Sequence, residues 1–157
     1  PVSDAVDPLL RLLDRLNHEG VRYILVGGQA VRLNGFLRNT ENIDILLPSS
    51  IENGERVIKA LHFLPSAAEL DAGWFESPAD APENIRVADD LLIDFLFAAN
   101  GETYESLQPH IRTLTVDGVA IPTLDIEGLL KTKTDYREKD VLDRQALLKI
   151  LATLKHG

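Results

Sequence analysis

The sequence predicts an α/β (α+β) protein with mixed strands, on three observations. Apolar residues recur at helical spacing in the first and last segments, and short β-branched apolar runs lie between them. One of those runs, Tyr23 to Val26, passes through Gly27-Gly28 straight into a second helical pattern. Strands and helices therefore interleave along the chain rather than segregate, as a sheet flanked by helices requires.

The elements follow in order. Val6, Leu9, Leu10, Leu13 and Leu16 share a helical face, with Asp7-Pro8 as cap and first-turn proline, and this helix is expected to end near Gly20. Val21 to Val26 reads as a strand, and Gln29 to Asn34 as a short helix closed by Gly35. A polar loop over Leu37 to Asn42 leads to a strand from Ile43 to Leu47. Pro48-Ser49-Ser50 then offers capping chemistry for a helix burying Ile51, Val57, Ile58 and Leu61. Pro65 to Asn84 mixes Pro, Ala, Gly and acids, and reads as loop with one strand near Trp74-Phe75. Ile85 to Val87 and Leu91 to Phe97 form a hairpin with Asp89-Asp90 in its turn. A short helix is expected over Thr103 to Ile111, and a second hairpin over Thr113 to Ile121 around Asp117-Gly118. Pro122 to Asp125 leads into a helix over Ile126, Leu129 and Leu130, and the last helix carries Leu147, Ile150, Leu151 and Leu154 on one face.

At 157 residues a single domain spanning 1–157 is expected, with a core that needs no staples. The 45% hydrophobic and 26% charged content is ordinary for a globular protein. No apolar run approaches the roughly 20 residues of a membrane span, so no membrane partner is expected. No signal peptide is evident, and because the chain opens on Pro1 rather than Met its N-terminus is expected to be trimmed or incomplete. A cytoplasmic location is the default expectation. With no Cys, any metal must be held by oxygen or His. The formal charge of −9 argues against a broad nucleic-acid footprint but suits a small charged ligand with a cation. Lys131, Lys133, Arg137, Lys139 and Arg144 concentrate positive charge in one C-terminal segment, fit for a triphosphate, a docked RNA end, or simply a solvated helix face.

Gly27 and Gly28 sit where the chain turns from strand to helix. There glycine permits φ > 0 and close approach of phosphate, although many such turns need glycine for packing alone. Asn42 and Asp44 occupy alternate strand positions, with α-carbons about 6.6 Å apart and side chains on one face. Asp94 interrupts the apolar run Leu91 to Phe97, where an ionised carboxylate is costly unless paired or metal-bound, or else it sits at an exposed strand end. Carboxylates with few other ligands suit Mg²⁺, with Mn²⁺ as the alternative. His18, His62, His110 and His156 are scattered without ligand-like spacing. Trp74, Phe75 and Tyr104 suit base stacking or the core.

Val26-Gly-Gly-Gln-Ala-Val31, Arg38-Asn-Thr-Glu-Asn-Ile-Asp44-Ile-Leu-Leu, Ile93-Asp-Phe, and Leu129-Leu-Lys-Thr-Lys followed by Arg137-Glu-Lys-Asp140-Val-Leu-Asp143 occur in that order between Tyr23 and Leu147. Together they resemble the DNA polymerase β-type nucleotidyltransferase superfamily, and most of all its minimal bacterial branch of AbiEii-like and toxin–antitoxin nucleotidyltransferases. The resemblance implies a small mixed sheet flanked by helices, with a catalytic core over about 20–100 and C-terminal helices over about 122–157 closing one side of a nucleotide cleft. It assigns nucleotide phosphates to Gly27, Gly28 and Gln29, with Arg38 beside them. The metal would fall to Asn42, Asp44 and Asp94, and activation of an attacking hydroxyl to Asp94. Triphosphate contact would fall to Lys131, and Asp140 matches the acid of the C-terminal motif. The implied activity is Mg²⁺-dependent transfer of a nucleotide from an NTP to a tRNA 3′ end or a protein side chain. A toxin–antitoxin or phage-defence setting with a cognate toxin or antitoxin would suit it. Asn42 departs from the pattern, standing where an Asp-x-Asp pair has its first Asp. The amide keeps a carbonyl oxygen but removes one charge, so weaker metal binding and lower turnover are expected, with Glu41 as a further acid. The competing reading is a non-catalytic nucleotide-binding or regulatory partner protein of the same fold.

Overall fold

The computed structural model describes residues 7–33, 42–78 and 80–156. Helix α1, Pro8–His18, starts where Asp7 accepts the Leu9 N–H at 2.9 Å, and it buries Leu9, Leu10, Leu12, Leu13 and Leu16. Strand β1, Ile24–Val26, runs directly into α2, Gly27–Leu33. Strand β2, Asn42–Leu46, is followed by α3, Ile51–Ala60, which Ser50 caps by accepting the Asn53 N–H at 3.1 Å. Two 3₁₀ turns, Pro65–Glu69 and Ala72–Phe75, lead to β3, Ile85–Ala88, and β4, Leu92–Leu96. The chain then forms β5, Ile111–Val116; β6, Val119–Leu124; α4, Ile126–Lys131; and α5, Glu138–His156.

The main sheet has order β1-β2-β4-β3, with β2 and β4 parallel and the other pairs antiparallel, so it is mixed as expected. Strand alternation gives it two unlike faces. Leu25, Ile43, Ile45, Val87, Ile93 and Phe95 on one face are all buried in the core. The opposite face carries Asn42, Asp44, Asp94 and Arg86, which remain partly or largely exposed. Phe75 packs edge-on against Phe95 and Phe97, with centroids 6.0 and 6.3 Å away, and Gly54 gives it room, since a Cβ there would lie 2.6 Å from Phe75 Cγ. The β5–β6 ribbon is tied to β1 by a buried hydrogen bond from Thr123 Oγ1 to the Leu25 carbonyl at 2.8 Å. Tyr23 donates to Asn17 Oδ1, and burial pushes its phenol up from the ordinary tyrosine value. No helix among the described residues is long and apolar enough to cross a membrane.

The structure departs from the sequence expectations at four places. The strand expected near Trp74-Phe75 is a 3₁₀ turn, because Asp71 accepts the Gly73 N–H at 2.8 Å and curls the chain while Phe75 plugs the core. The helix expected over Thr103 to Ile111 is limited to a 3₁₀ turn at Gln108–His110. Thr103 and Ser106 trade side-chain bonds with each other's N–H groups, and Pro109 has no N–H to continue a helix. The second hairpin is longer than expected, and Asp117 and Gly118 at its tip have φ of 49° and 82°, the signs of a type I′ turn. β1 is shorter than Val21 to Val26, because Asn53 accepts from the Arg22 N–H at 2.9 Å and donates to the Arg22 carbonyl at 3.0 Å, taking the groups a strand ladder would use. Asn53 is buried, so Asn53→Ala leaves both Arg22 groups unmatched and is expected to cost about 1–3 kcal/mol. Urea unfolding checks it; a loss under about 0.5 kcal/mol would mean that water replaces the clasp. The Gly35 closure and most of the Leu37 to Asn42 loop lie outside the described residues.

Candidate active site

Strand register builds the site. Val26 pairs with Asp44, Asp44 with Asp94, and Asp94 with Arg86, giving one row across β1, β2, β4 and β3. Neighbouring strands lie about 4.8 Å apart, so two carboxylates stand side by side, an arrangement that costs energy unless positive charge is supplied. Arg86 supplies part of it through a fork on Asp94, with Nε to Oδ1 at 2.7 Å and Nη2 to Oδ2 at 3.0 Å. The hydrogen bonds to Asp94, then its charge and that of Asp44, push the Arg86 guanidinium above its ordinary value. Asn42 Nδ2 reaches Asp94 Oδ2 at 3.5 Å, at the outer limit of a hydrogen bond.

Arg86 is the member of this charged row that sequence reading missed. Its signal was present in the β3–β4 hairpin, but a two-residue Asp89-Asp90 turn gives the wrong register. Ala88 pairs with Leu92, so Asp89, Asp90 and Leu91 form the turn, and a shift of one residue moves Arg86 onto the Asp94 face.

Gly27 joins the row from the end of β1. Its φ is 72°, and a Cβ there would sit 2.9 Å from Asp44 Cβ and Cγ and closer still to the carboxylate. Glycine is therefore required both by the backbone and by the approach of Asp44. Gly28 and Gln29 follow in buried positions, and Gln29 Oε1 has no hydrogen-bond partner among the described residues. Arg38 and Glu41 lie outside the described residues.

A cleft of about 290 Å³ opens beside this row, with Gly27, Asp44 and Asn84 on one side and Lys133, Arg137 and Asp140 on the other. Asp94 adjoins it from the next strand. Lys131 is exposed at the end of α4 and does not line the cleft; two residues on, past the Thr132 cap, the lysine that does is Lys133. Lys133 Nζ is 3.1 Å from Asp143 Oδ2, and both side chains are under 10% exposed. Asp140 Oδ2 accepts from the Thr134 N–H and hydroxyl at 3.1 and 2.8 Å, tying the 132–137 loop to the first turn of α5. Among the described residues, no group of three or more His or acids converges as a metal cluster.

No protein-family model matches the chain, and no curated protein matches its sequence. The chain does match a crystal structure of a Thermotoga maritima protein provisionally assigned as a nucleotidyltransferase, with a TM-score of 0.54 and 18% identity over 94% of this chain and 85% of that one. The fold is a nucleotidyltransferase fold. Within this nucleotidyltransferase fold the parallel β2–β4 pair sets Asp44 beside Asp94, the Gly27 turn packs on Asp44, and the α4–α5 junction forms the facing wall.

Proposed function

We propose that this protein transfers a nucleotide from an NTP to a hydroxyl of an RNA or protein acceptor. The observation that carries the reading is Asp44 beside Asp94 in register at a cleft whose opposite wall presents Arg137. Two carboxylates, an amide oxygen and substrate phosphates suit Mg²⁺, which keeps waters and needs few protein ligands; Mn²⁺ is the alternative. Asp44 would hold the ion, flanked by Asn42 and Asp94, and when bound it would supply neutralisation of the phosphate charge. Gly27, Gly28 and Gln29 would lie against the phosphates, with Arg38 beside them. Arg137 would take the triphosphate contact that the family resemblance assigns to Lys131. The acceptor oxygen bonds to the α-phosphorus, the bond from that phosphorus to the bridging oxygen breaks, and pyrophosphate leaves with the electron pair. The hydroxyl proton passes to Asp94, once Arg86 releases an oxygen, and then to water.

The motif order supports a place in the AbiEii-like, toxin–antitoxin branch, with a cognate toxin or antitoxin as partner. Asn42 and the Arg86 fork favour one second reading, a non-catalytic nucleotide-binding partner of the same fold.

Transfer of labelled nucleotide to bulk tRNA and lysate protein separates the two, alongside calorimetric titration of each Mg²⁺-NTP. Asn42→Asp is expected to raise the rate by about tenfold or more, and Asp44→Asn to remove detectable transfer in either background. Nucleotide binding without transfer by any variant establishes the partner-protein reading; no nucleotide binding sinks both.

A further inference from the structure

A second concavity, a groove of about 740 Å³, runs along β3, the edge strand of the sheet. The Asp89 N–H bonds to the Leu91 carbonyl on the β4 side, whereas the Ala88 carbonyl accepts the Ser66 hydroxyl at 3.3 Å on the other. By strand alternation the N–H and C=O of Arg86 also point away from β4, along the open edge. The far wall is made by the two 3₁₀ turns, which contribute Leu70 and Trp74. Trp74 is the only tryptophan of the chain and is 54% exposed. The polar lining is acidic: Glu69, Glu76 and Glu83 face it, none ion-paired with another described residue, while the charge of Arg86 is taken up by Asp94. Asn84 lines both the groove and the Asp44 cleft, so the two lie side by side.

We infer that this groove docks the acceptor, and that the acceptor is an extended protein segment bearing Lys and Arg, which adds to β3 as a further strand and enters the Asp44 cleft past Asn84. The inference rests on the transfer reading above. The Arg86 N–H and C=O on this edge offer a donor and an acceptor, which a peptide main chain matches and a phosphate backbone, lacking donors, does not. Three unneutralised carboxylates attract basic side chains and repel nucleic acid. The exposed face of Trp74 suits the aliphatic stems and cationic heads of Lys and Arg.

The test uses the intact protein and Trp74 as its own reporter. Three probes of about ten units are titrated: a peptide alternating Lys or Arg with Val or Thr, its counterpart with Glu at each basic position, and oligouridine. The expected result is saturable quenching or a blue shift of Trp74 fluorescence with the basic peptide, at an affinity at least about tenfold above either other probe. Glu69→Gln/Glu76→Gln/Glu83→Gln is expected to weaken that binding about tenfold while calorimetric Mg²⁺-NTP binding stays unchanged. Glu83→Gln alone, with a smaller loss, keeps the test open if the triple variant fails to fold. Equal response to all three probes, preference for oligouridine, or no Trp74 response overturns the docking proposal and leaves the transfer reading standing. Peptide binding in a protein that binds no Mg²⁺-NTP overturns the transfer reading and the acceptor role with it, leaving a peptide-binding groove.

Discussion

Lys133→Met is expected to lower the unfolding free energy by about 3–5 kcal/mol, the cost of breaking a buried ion pair by removing one partner. Lys133 and Asp143 lie almost wholly out of solvent with 3.1 Å between Nζ and Oδ2, so the variant takes a buried cation away from a buried carboxylate in the wall of the cleft. Replacing both residues, as Lys133→Met/Asp143→Leu, removes the buried carboxylate together with its lysine, and that variant is expected to recover most of the loss. Urea unfolding of the two single variants and the double variant checks the cycle. A loss below about 1 kcal/mol for Lys133→Met would show that the pair is solvated in solution and that Lys133 is available to ligand after all.

Gly27→Ala is expected to cost about 2–4 kcal/mol and to weaken Mg²⁺-nucleotide binding by more than tenfold. Two effects add: a side chain at φ of 72° is strained by about 1–2 kcal/mol, and the new methyl overlaps Asp44, whose Cβ and Cγ would lie 2.9 Å away. Gly118 is the internal control, since its φ is 82° but nothing lies within 4 Å of a Cβ there. Gly118→Ala therefore carries the backbone strain alone, about 1 kcal/mol, with nucleotide binding untouched. Equal losses for the two variants in parallel melts would show that Asp44 yields freely, and that Gly27 does not fix it.

Local chemistry made much of the fold legible. Asp7-Pro8 started α1, Asp117-Gly118 turned the β5–β6 hairpin, and apolar alternation through Ile43 and Ile45 marked a strand. What failed was decided at a distance. Trp74-Phe75 looks like a strand because of its aromatics, yet Phe75 is fixed by a core built from β4 and α3, with Gly54 leaving space for its ring. The outer half of the expected first strand was claimed by the Asn53 side chain, thirty-one positions away. For the site, the strand pattern put Asn42 and Asp44 on one face, and the interrupted apolar run singled out Asp94. That Asp44 and Asp94 are lateral neighbours depends on the parallel pairing of β2 with β4, which alternation within a strand does not specify. Arg86 was hidden by a single extra turn residue. Lys131 and Lys133 are both plausible by charge, and only the path of the chain past Thr132 turns one toward the cleft and leaves the other outside.

The parallel pairing has a kinetic side. Asp44 and Asp94 are fifty positions apart, and they meet only after the chain has wrapped through α3, both 3₁₀ turns and the β3–β4 hairpin to lay β4 alongside β2. Closing so long a loop is slow and entropically costly, so the β3–β4 hairpin, with Arg86 opposite Asp94, is expected to form before β4 pairs with β2. Repulsion between the two carboxylates is felt only when the last pairing is made. Cations added during refolding should therefore speed the final step and leave hairpin formation alone, making this pair of acids a clock for completion of the native sheet.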